Sequence, residues 1–302
     1  MRGFANVGNT CGINTLLQCM YSCDIIKQFL NTINGKAFTD EMKQLMLMYY
    51  SKEEGVLIPR GIINALTKHM GNIFKAGEPV DVGEIWMFLW NIIADEMGQK
   101  DESLNIVNTN TDIGMRSENE FFKGIWKNAS LWSIHLQGLT ISQVQCPTCN
   151  TFYHNFEHYI NLSIDIPNDN LVECINKYFS LETIDDWHCE KCNDKRTGIK
   201  ITRLWRIPRV LVISLKRFDG RQKILTNVDI PDTLDMSPYC IQKKPIYHLK
   251  GICLHHGNIH GGHYNALVKN ENDWVLCDDD SCIKMDNPII RRNAYLLFYE
   301  VE

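Results

Sequence analysis

Two short cysteine pairs constrain this chain more than any other feature. Cys146 and Cys149 stand in "CPTC", and Cys189 and Cys192 in "CEKC". Four thiolates in two tight pairs are the donor set that tetrahedral zinc takes. Residues 150 to 188 separate the pairs, more than a compact zinc ribbon needs. The pairs are therefore expected at the tips of two separate hairpins, clipped together by a structural metal. The plainer alternative is two unrelated sets of packed thiols. An asparagine follows each pair, Asn150 and Asn193, and asparagine tolerates the left-handed backbone that a metal-knuckle turn needs.

Whether the thiols are free depends on compartment. Met1 to Asn9 holds no basic stretch leading into an apolar run, and no segment approaches ~18 uncharged apolar residues. A soluble intracellular protein, cytoplasmic or nuclear, is expected, with no membrane association. In that reducing setting the 12 cysteines are ligands, nucleophiles or core residues rather than disulfides. The 302 residues, 44% of them hydrophobic, suffice for one large domain or two fused lobes. Lys and Arg number 31 against 36 Asp and Glu, a net charge of -5, which argues against a nucleic-acid partner, including a zinc-ribbon one, and favours a basic partner.

The apolar pattern changes period part-way along the chain. Up to about Trp126 it is helical: Ile13, Leu16, Leu17 and Met20 mark one face, and "GEIWMFLWNIIADEM" (83–97) is apolar on most sides. Trp86, Phe88 and Trp90 in that segment read as core. From Leu131 onward the pattern is strand-like, in "LWSIHLQGL", "FYHNFEHYINLSI", "RVLVISLKRF", "LKGICL", "HYNALVK", "DWVLCD" and "AYLLFYEV". Helical spacing returns in "NLVECINKYFS" (170–180), between the cysteine pairs. An α+β chain with an antiparallel second half is expected.

Cys11 lies in "NVGNTCGINTLLQ", at the first turn of the first helix. Unpaired backbone amides there lower a thiol's pKa, which makes it a candidate nucleophile. A helix-start cysteine is also commonly just a packed residue. Asn6 and the amide of Cys11 offer two oxyanion donors. The candidate base lies in "HHGNIHGGHYNALVKNENDWVLCDDD" (255–280). If Val268 pairs with Asp273, His263 falls opposite Asp278 on one sheet face; a one-residue slip selects Asp279 instead. Gly261 and Gly262 keep the approach to His263 free of side chains. For His255, His256, His260 and His263 together, a metal tract or a solvated loop remains the alternative.

These segments resemble the ubiquitin-specific protease family of cysteine deubiquitinases (peptidase C19). "GFANVGNTCGINTLLQ" is similar to the family's cysteine box, "IPRVLVISLKRF" to its central strand, "HHGNIHGGHYNALV" with "WVLCDDD" to its histidine box, and "NAYLLFY" to its closing strand. They occur in family order from Gly3 to the C-terminus, with the CxxC pairs between them. The resemblance implies a single papain-like catalytic domain over 1–302: a helical thumb (1–126), zinc-bearing β fingers (127–205) and an antiparallel β palm with the His/Asp box (206–302). It implies Cys11 as nucleophile, His263 as base, Asp278 as third member with Asp279 as support, and Asn6 as oxyanion donor. Cys146, Cys149, Cys189 and Cys192 would hold structural Zn2+. Asp81, Glu84, His255, Gly262 and Tyr264 would meet the ubiquitin tail.

The implied partners are ubiquitin and ubiquitinated proteins, met by a monomer that hydrolyses the bond after ubiquitin's C-terminal glycine. A protease for another ubiquitin-like modifier, or a catalytically weak ubiquitin-binding module, is the alternative. Two departures stand out. Gly12 and Ile13 replace an aromatic and a Met, and Pro79 and Val80 in "EPVDVGE" replace the polar pair of a Gln-rich element. Cys19, Cys23, Cys174, Cys240, Cys253, Cys277 and Cys282 read as packing residues.

Overall fold

The computed structural model describes residues 1–71, 78, 80–105, 112–286 and 293–302, so Pro79 lies outside the described residues. Helix α1 (Cys11–Ser22) is buried along its whole length. A helix with no solvent face must be the centre around which other layers assemble. Helices α2 (Asp24–Thr32), α3 (Ala37–Tyr49), α4 (Arg60–Met70) and α5 (Val82–Met97) gather on one side of it. The apolar run in α5 is core as expected, with Trp86 and Trp90 buried. Then come α6 (Ile113–Ile125) and α7 (Leu131–Leu136). No helix among the described residues is long and apolar enough to cross a membrane.

The second half is built on two sheets. β1 (Gly138–Gln145), β2 (Phe152–Tyr159), β4 (Glu182–Cys189) and β5 (Asp194–Arg206) form one, in the order β2-β1-β5-β4; β3 (Leu162–Ile164) and α8 (Leu171–Tyr178) intervene in the chain. The larger sheet contains β6 (Val210–Leu215), β7 (Thr233–Asp235), β8 (Ile246–Asn258), β9 (Gly261–Asn270), β10 (Asp273–Asp278), β11 (Ser281–Met285) and β12 (Ala294–Val301). Its order is β11-β10-β9-β8-β12-β6-β3, with β7 on β8. The β3–β6 pair is parallel and the others are antiparallel.

This sheet is covered on both faces, which explains why "RVLVISL" reads as an unbroken apolar run. Val210 and Val212 face the helical core around α1, while Leu211, Ile213 and Leu215 face a second core closed by Leu171, Cys174 and Ile175 of α8. One expected strand is a helix. "LWSIHL" forms α7 because Ser130 and Ser133 make a reciprocal capping box and Trp132 and Leu136, four apart, are buried on one face. Only from Gly138 does the chain become extended.

Candidate active site

Cys11 is the first residue of α1 and is only 7% exposed. The expectation that the helix start lowers its pKa is corrected here: burial pushes the thiol up, and the Asp279 charge adds to that, against the backbone amides of Tyr264, Gly12 and Cys11 itself. Desolvation outweighs the amides at this depth. Raised in this way, the thiol needs a base to become the nucleophilic thiolate. The amide of Tyr264 reaches the sulfur, and His263 is the residue just before it on β9.

His263 Nε2 donates to Asp278 Oδ1 at 2.5 Å, leaving Nδ1 for the thiol. The register differs from the expected one: Val268 pairs with Val275, and Asn270 with Asp273. The turn is therefore tighter, with Glu271 at φ +53°, the left-handed backbone of a two-residue hairpin. The shift is two residues, and the side-chain period is two, so His263 and Asp278 remain on one face and meet diagonally. Asn265 Nδ2 also reaches Asp278, at 3.5 Å.

Asp279 has partners of its own. It sits at the β10–β11 turn with φ +46°, where its carboxylate accepts from Asn6 Nδ2 and from Asn14 Nδ2, both at 2.9 Å. Asn6 is fixed at its other end as well, its Oδ1 accepting from the amides of Gly8 and Thr10. One Nδ2 hydrogen is spent on Asp279 and the second remains to be donated. Asn14 was not singled out from sequence. Its position three residues after Cys11 on a buried helix, where an amide needs partners, was the available signal.

A cleft of about 430 Å³ opens over Cys11, lined also by Val80, Asp81, Phe218, His255, Gly262 and Tyr264. A Cβ on Gly262 would lie 2.1 Å from the His256 carbonyl and 2.5 Å from His255 Nε2, so this wall admits only glycine. Gly12 is also closely packed: a Cβ there would meet Ile85 Cδ1 at 3.0 Å and the Val80 carbonyl at 3.4 Å. Ile85, Val80 and Tyr264 thus fill the room an aromatic at position 12 would need. Asp81 borders the cleft, but its Oδ1 caps α5 by accepting from Gly83 and Glu84, and its Oδ2 accepts from the Tyr264 hydroxyl. Glu84 is exposed in the first turn of α5, outside the cleft lining.

The four cysteines of the two pairs come together where the β1–β2 and β4–β5 hairpins lie side by side. Their sulfurs all lie within 4.8 Å of one another. Cys146 Sγ is 3.9 Å from Cys192 Sγ, and Cys149 Sγ is 3.6 Å from Cys189 Sγ. Sulfurs at ~2.3 Å from a tetrahedral zinc stand about 3.8 Å apart, so these two contacts match that geometry and the cluster can hold a metal. Asn150 and Asn193 have φ of +54° and +51°, the knuckle backbone expected of them. Crowding drives the thiols apart in acidity: Cys149 is lowered to about 6, chiefly by the hydroxyl and amide of Thr151, and Cys192 is raised to about 12 by Cys149.

A family profile described as "Ubiquitin carboxyl-terminal hydrolase" matches residues 2–299. The chain belongs to that family. It is 28% identical over 324 residues to Ubiquitin carboxyl-terminal hydrolase 4 of Arabidopsis thaliana, covering 98% of this chain and 87% of that protein. Identity to Ubiquitin carboxyl-terminal hydrolase 12 of Salmo salar is 26% over 336 residues, covering 99% and 89%. Among solved structures, the SAGA Ubp8/Sgf11/Sus1/Sgf73 DUB module bound to ubiquitin aldehyde contains a chain that superposes with a TM-score of 0.80 at 23% identity. That match covers all of this chain and 70% of the other, and it shows that the two share a fold.

In this ubiquitin carboxyl-terminal hydrolase, His255 is a neutral wall of the cleft. It is 4% exposed, packs on Tyr264 at 4.7 Å between ring centres, and its Nδ1 has no partner. Burial, with Lys223 and His256 adding, lowers its pKa from 6.5 to about 4. The unfolded chain takes this proton near pH 6.5 and the folded one only near pH 4. His255 therefore costs stability as pH falls through that window, by about 3 kcal/mol in all. Urea unfolding at pH 7 and pH 4.5 should show a smaller loss in His255→Asn than in the parent protein; equal losses would mean His255 protonates without penalty.

Proposed function

We propose that the chain is a thiol-dependent deubiquitinase that hydrolyses the peptide or isopeptide bond after the C-terminal glycine of ubiquitin. The observation that carries this reading is the His263–Asp278 pair, one residue along β9 from the Tyr264 amide that reaches Cys11, in a chain whose residues 2–299 match the ubiquitin carboxyl-terminal hydrolase family. His263 Nδ1 takes the Cys11 proton as the sulfur attacks the glycine carbonyl. The amide of Cys11 and the free Nδ2 hydrogen of Asn6 receive the oxyanion. His263 then protonates the leaving lysine amine, and the acyl-enzyme is released when His263 activates a water.

The glycine-walled cleft suits a substrate tail without side chains, and His255, Gly262 and Tyr264, which line it, would meet that tail. Asp81 acts there through Tyr264 and the α5 cap, whereas Glu84, exposed on the first turn of α5, would meet the tail only outside the cleft. Zinc held by Cys146, Cys149, Cys189 and Cys192 would brace the two hairpins and take no part in the chemistry.

Ubiquitin carrying a C-terminal electrophile should label the protein at Cys11 and leave Cys11→Ala unlabelled, read by intact mass and peptide mapping. Parallel probes built on other ubiquitin-like modifiers should react far more slowly. No adduct with any probe would refute hydrolysis and leave a binding module; a faster adduct with another modifier would reassign the substrate.

A further inference from the structure

Cys277 and Cys282 were expected to be packing residues, yet they face each other across the β10–β11 hairpin. Both are free thiols, and their sulfurs are 2.8 Å apart, closer than the 3.6 and 3.9 Å contacts in the four-cysteine cluster. Cys277 is fully buried, with the Tyr49 hydroxyl 3.7 Å from its sulfur; Cys282 is half-buried on the outermost strand of the sheet and is the thiol a small oxidant can reach.

The hairpin geometry suits a bridge. Asp278 pairs with Ser281, leaving Asp279 and Asp280 as a two-residue turn. That turn makes Asp278/Ser281 the hydrogen-bonded pair, so the next pair, Cys277/Cys282, is non-hydrogen-bonded. Such pairs bring Cα atoms to about 4.5 Å, within the range a disulfide spans. The turn itself is held to the start of the chain: the Phe4 amide donates to the Asp279 carbonyl at 2.7 Å, Asn6 and Asn14 hold the Asp279 carboxylate, and a Cβ on Gly3 would lie 2.1 Å from the Asp280 carbonyl. Closing the sulfurs to about 2.05 Å draws β10 and β11 together one residue from Asp278, and the strain falls on these anchoring contacts of the turn.

We propose that Cys277 and Cys282 form a reversible disulfide under two-electron oxidants of the peroxide class, and that this bridge shifts the turn bearing Asp278 and Asp279 and so lowers turnover. With peroxide, the Cys282 sulfur attacks one oxygen, the O–O bond breaks, and a sulfenic acid and one water result. The Cys277 sulfur then attacks the sulfenic sulfur, its proton leaving with the hydroxyl as a second water. Two thiols and one peroxide give one disulfide and two waters, and a dithiol reductant reverses the exchange. Bridge formation stands on geometry alone; its effect on rate rests on the hydrolase reading.

The test uses diamide, which takes two hydrogens from a thiol pair onto its N=N bond and becomes the hydrazine. In the full-length Cys11→Ala protein, treatment followed by alkylation and trypsin should give peptide 270–284 two hydrogens lighter and unalkylated. In a ubiquitin-amide assay, the treated parent protein should lose about 10-fold more activity than treated Cys282→Ser, as small displacements of reacting groups do, and dithiothreitol should restore it. Both proteins share Cys11 and the four-cysteine cluster, so their difference isolates this pair. A doubly alkylated 270–284 peptide would overturn the bridge; a bridged peptide with equal losses in the two proteins would overturn its effect on turnover. If the untreated parent protein does not cleave ubiquitin at all, the hydrolase reading fails while the peptide result still decides the bridge.

Discussion

His263→Ala should lower turnover of a ubiquitin C-terminal amide by about 1,000-fold, within the range that a positioned acid–base group contributes. The size follows from the state of Cys11. Burial and the Asp279 charge hold its thiol above the ordinary value, so forming the thiolate depends on a base that removes the proton. Asp278→Ala should fall with it, by about 100-fold or more, because the imidazole then loses the carboxylate that sets its tautomer and supports its charge. Asp279 will not rescue it, since its carboxylate is engaged by Asn6 and Asn14. Single-turnover kinetics of the three proteins would check this. A near-normal rate in His263→Ala removes the proposed base, and a mild Asp278→Ala would mean that Asp279 releases the asparagines.

Cys189→Ser should empty the four-cysteine cluster and destabilise the fold around it. Structural zinc supplies ~10–16 kcal/mol to small zinc domains. Losing even about 4 kcal/mol would lower the melting temperature by roughly 10 °C in a chain of this size. Elemental analysis should read one zinc per parent chain and almost none in the variant, while alkylation of Cys11 by a small electrophile proceeds at the parent rate. That separation is expected because the cluster lies at the tips of the four-stranded sheet, whereas Cys11 lies against the eight-stranded one. Zinc retained in full by Cys189→Ser would refute the four-ligand arrangement.

Much of the architecture was legible because it rests on local periodicity. The α5 and β6 segments are apolar on more than one side because both are covered on more than one side, and Asn150 and Asn193 marked the two knuckles by backbone tolerance alone. "LWSIHLQGL" misled because it holds a short buried helix and the start of a strand, and a six-residue helix is too short for its period to be distinguished from alternation. Its capping box, Ser130 with Ser133, was the discriminating signal.

By itself the sequence determined which chemistry is present: a cysteine at a helix start, a histidine after two glycines, a carboxylate one hairpin away, and four paired thiols. Their order along the chain, and the resemblance it carries, point to one family. Only the tertiary structure decided how each group is used. It set the hairpin register, which placed Asp278 diagonally on His263, and it committed Asp279 to Asn6 and Asn14. It spent Asp81 on a helix cap, raised rather than lowered the Cys11 thiol, and brought Cys277 against Cys282. The physical reason is common to these cases. Periodicity and turn chemistry are properties of neighbours in sequence, while desolvation, partner choice and sulfur contact depend on what long-range packing brings within a few ångströms, and nothing local encodes that.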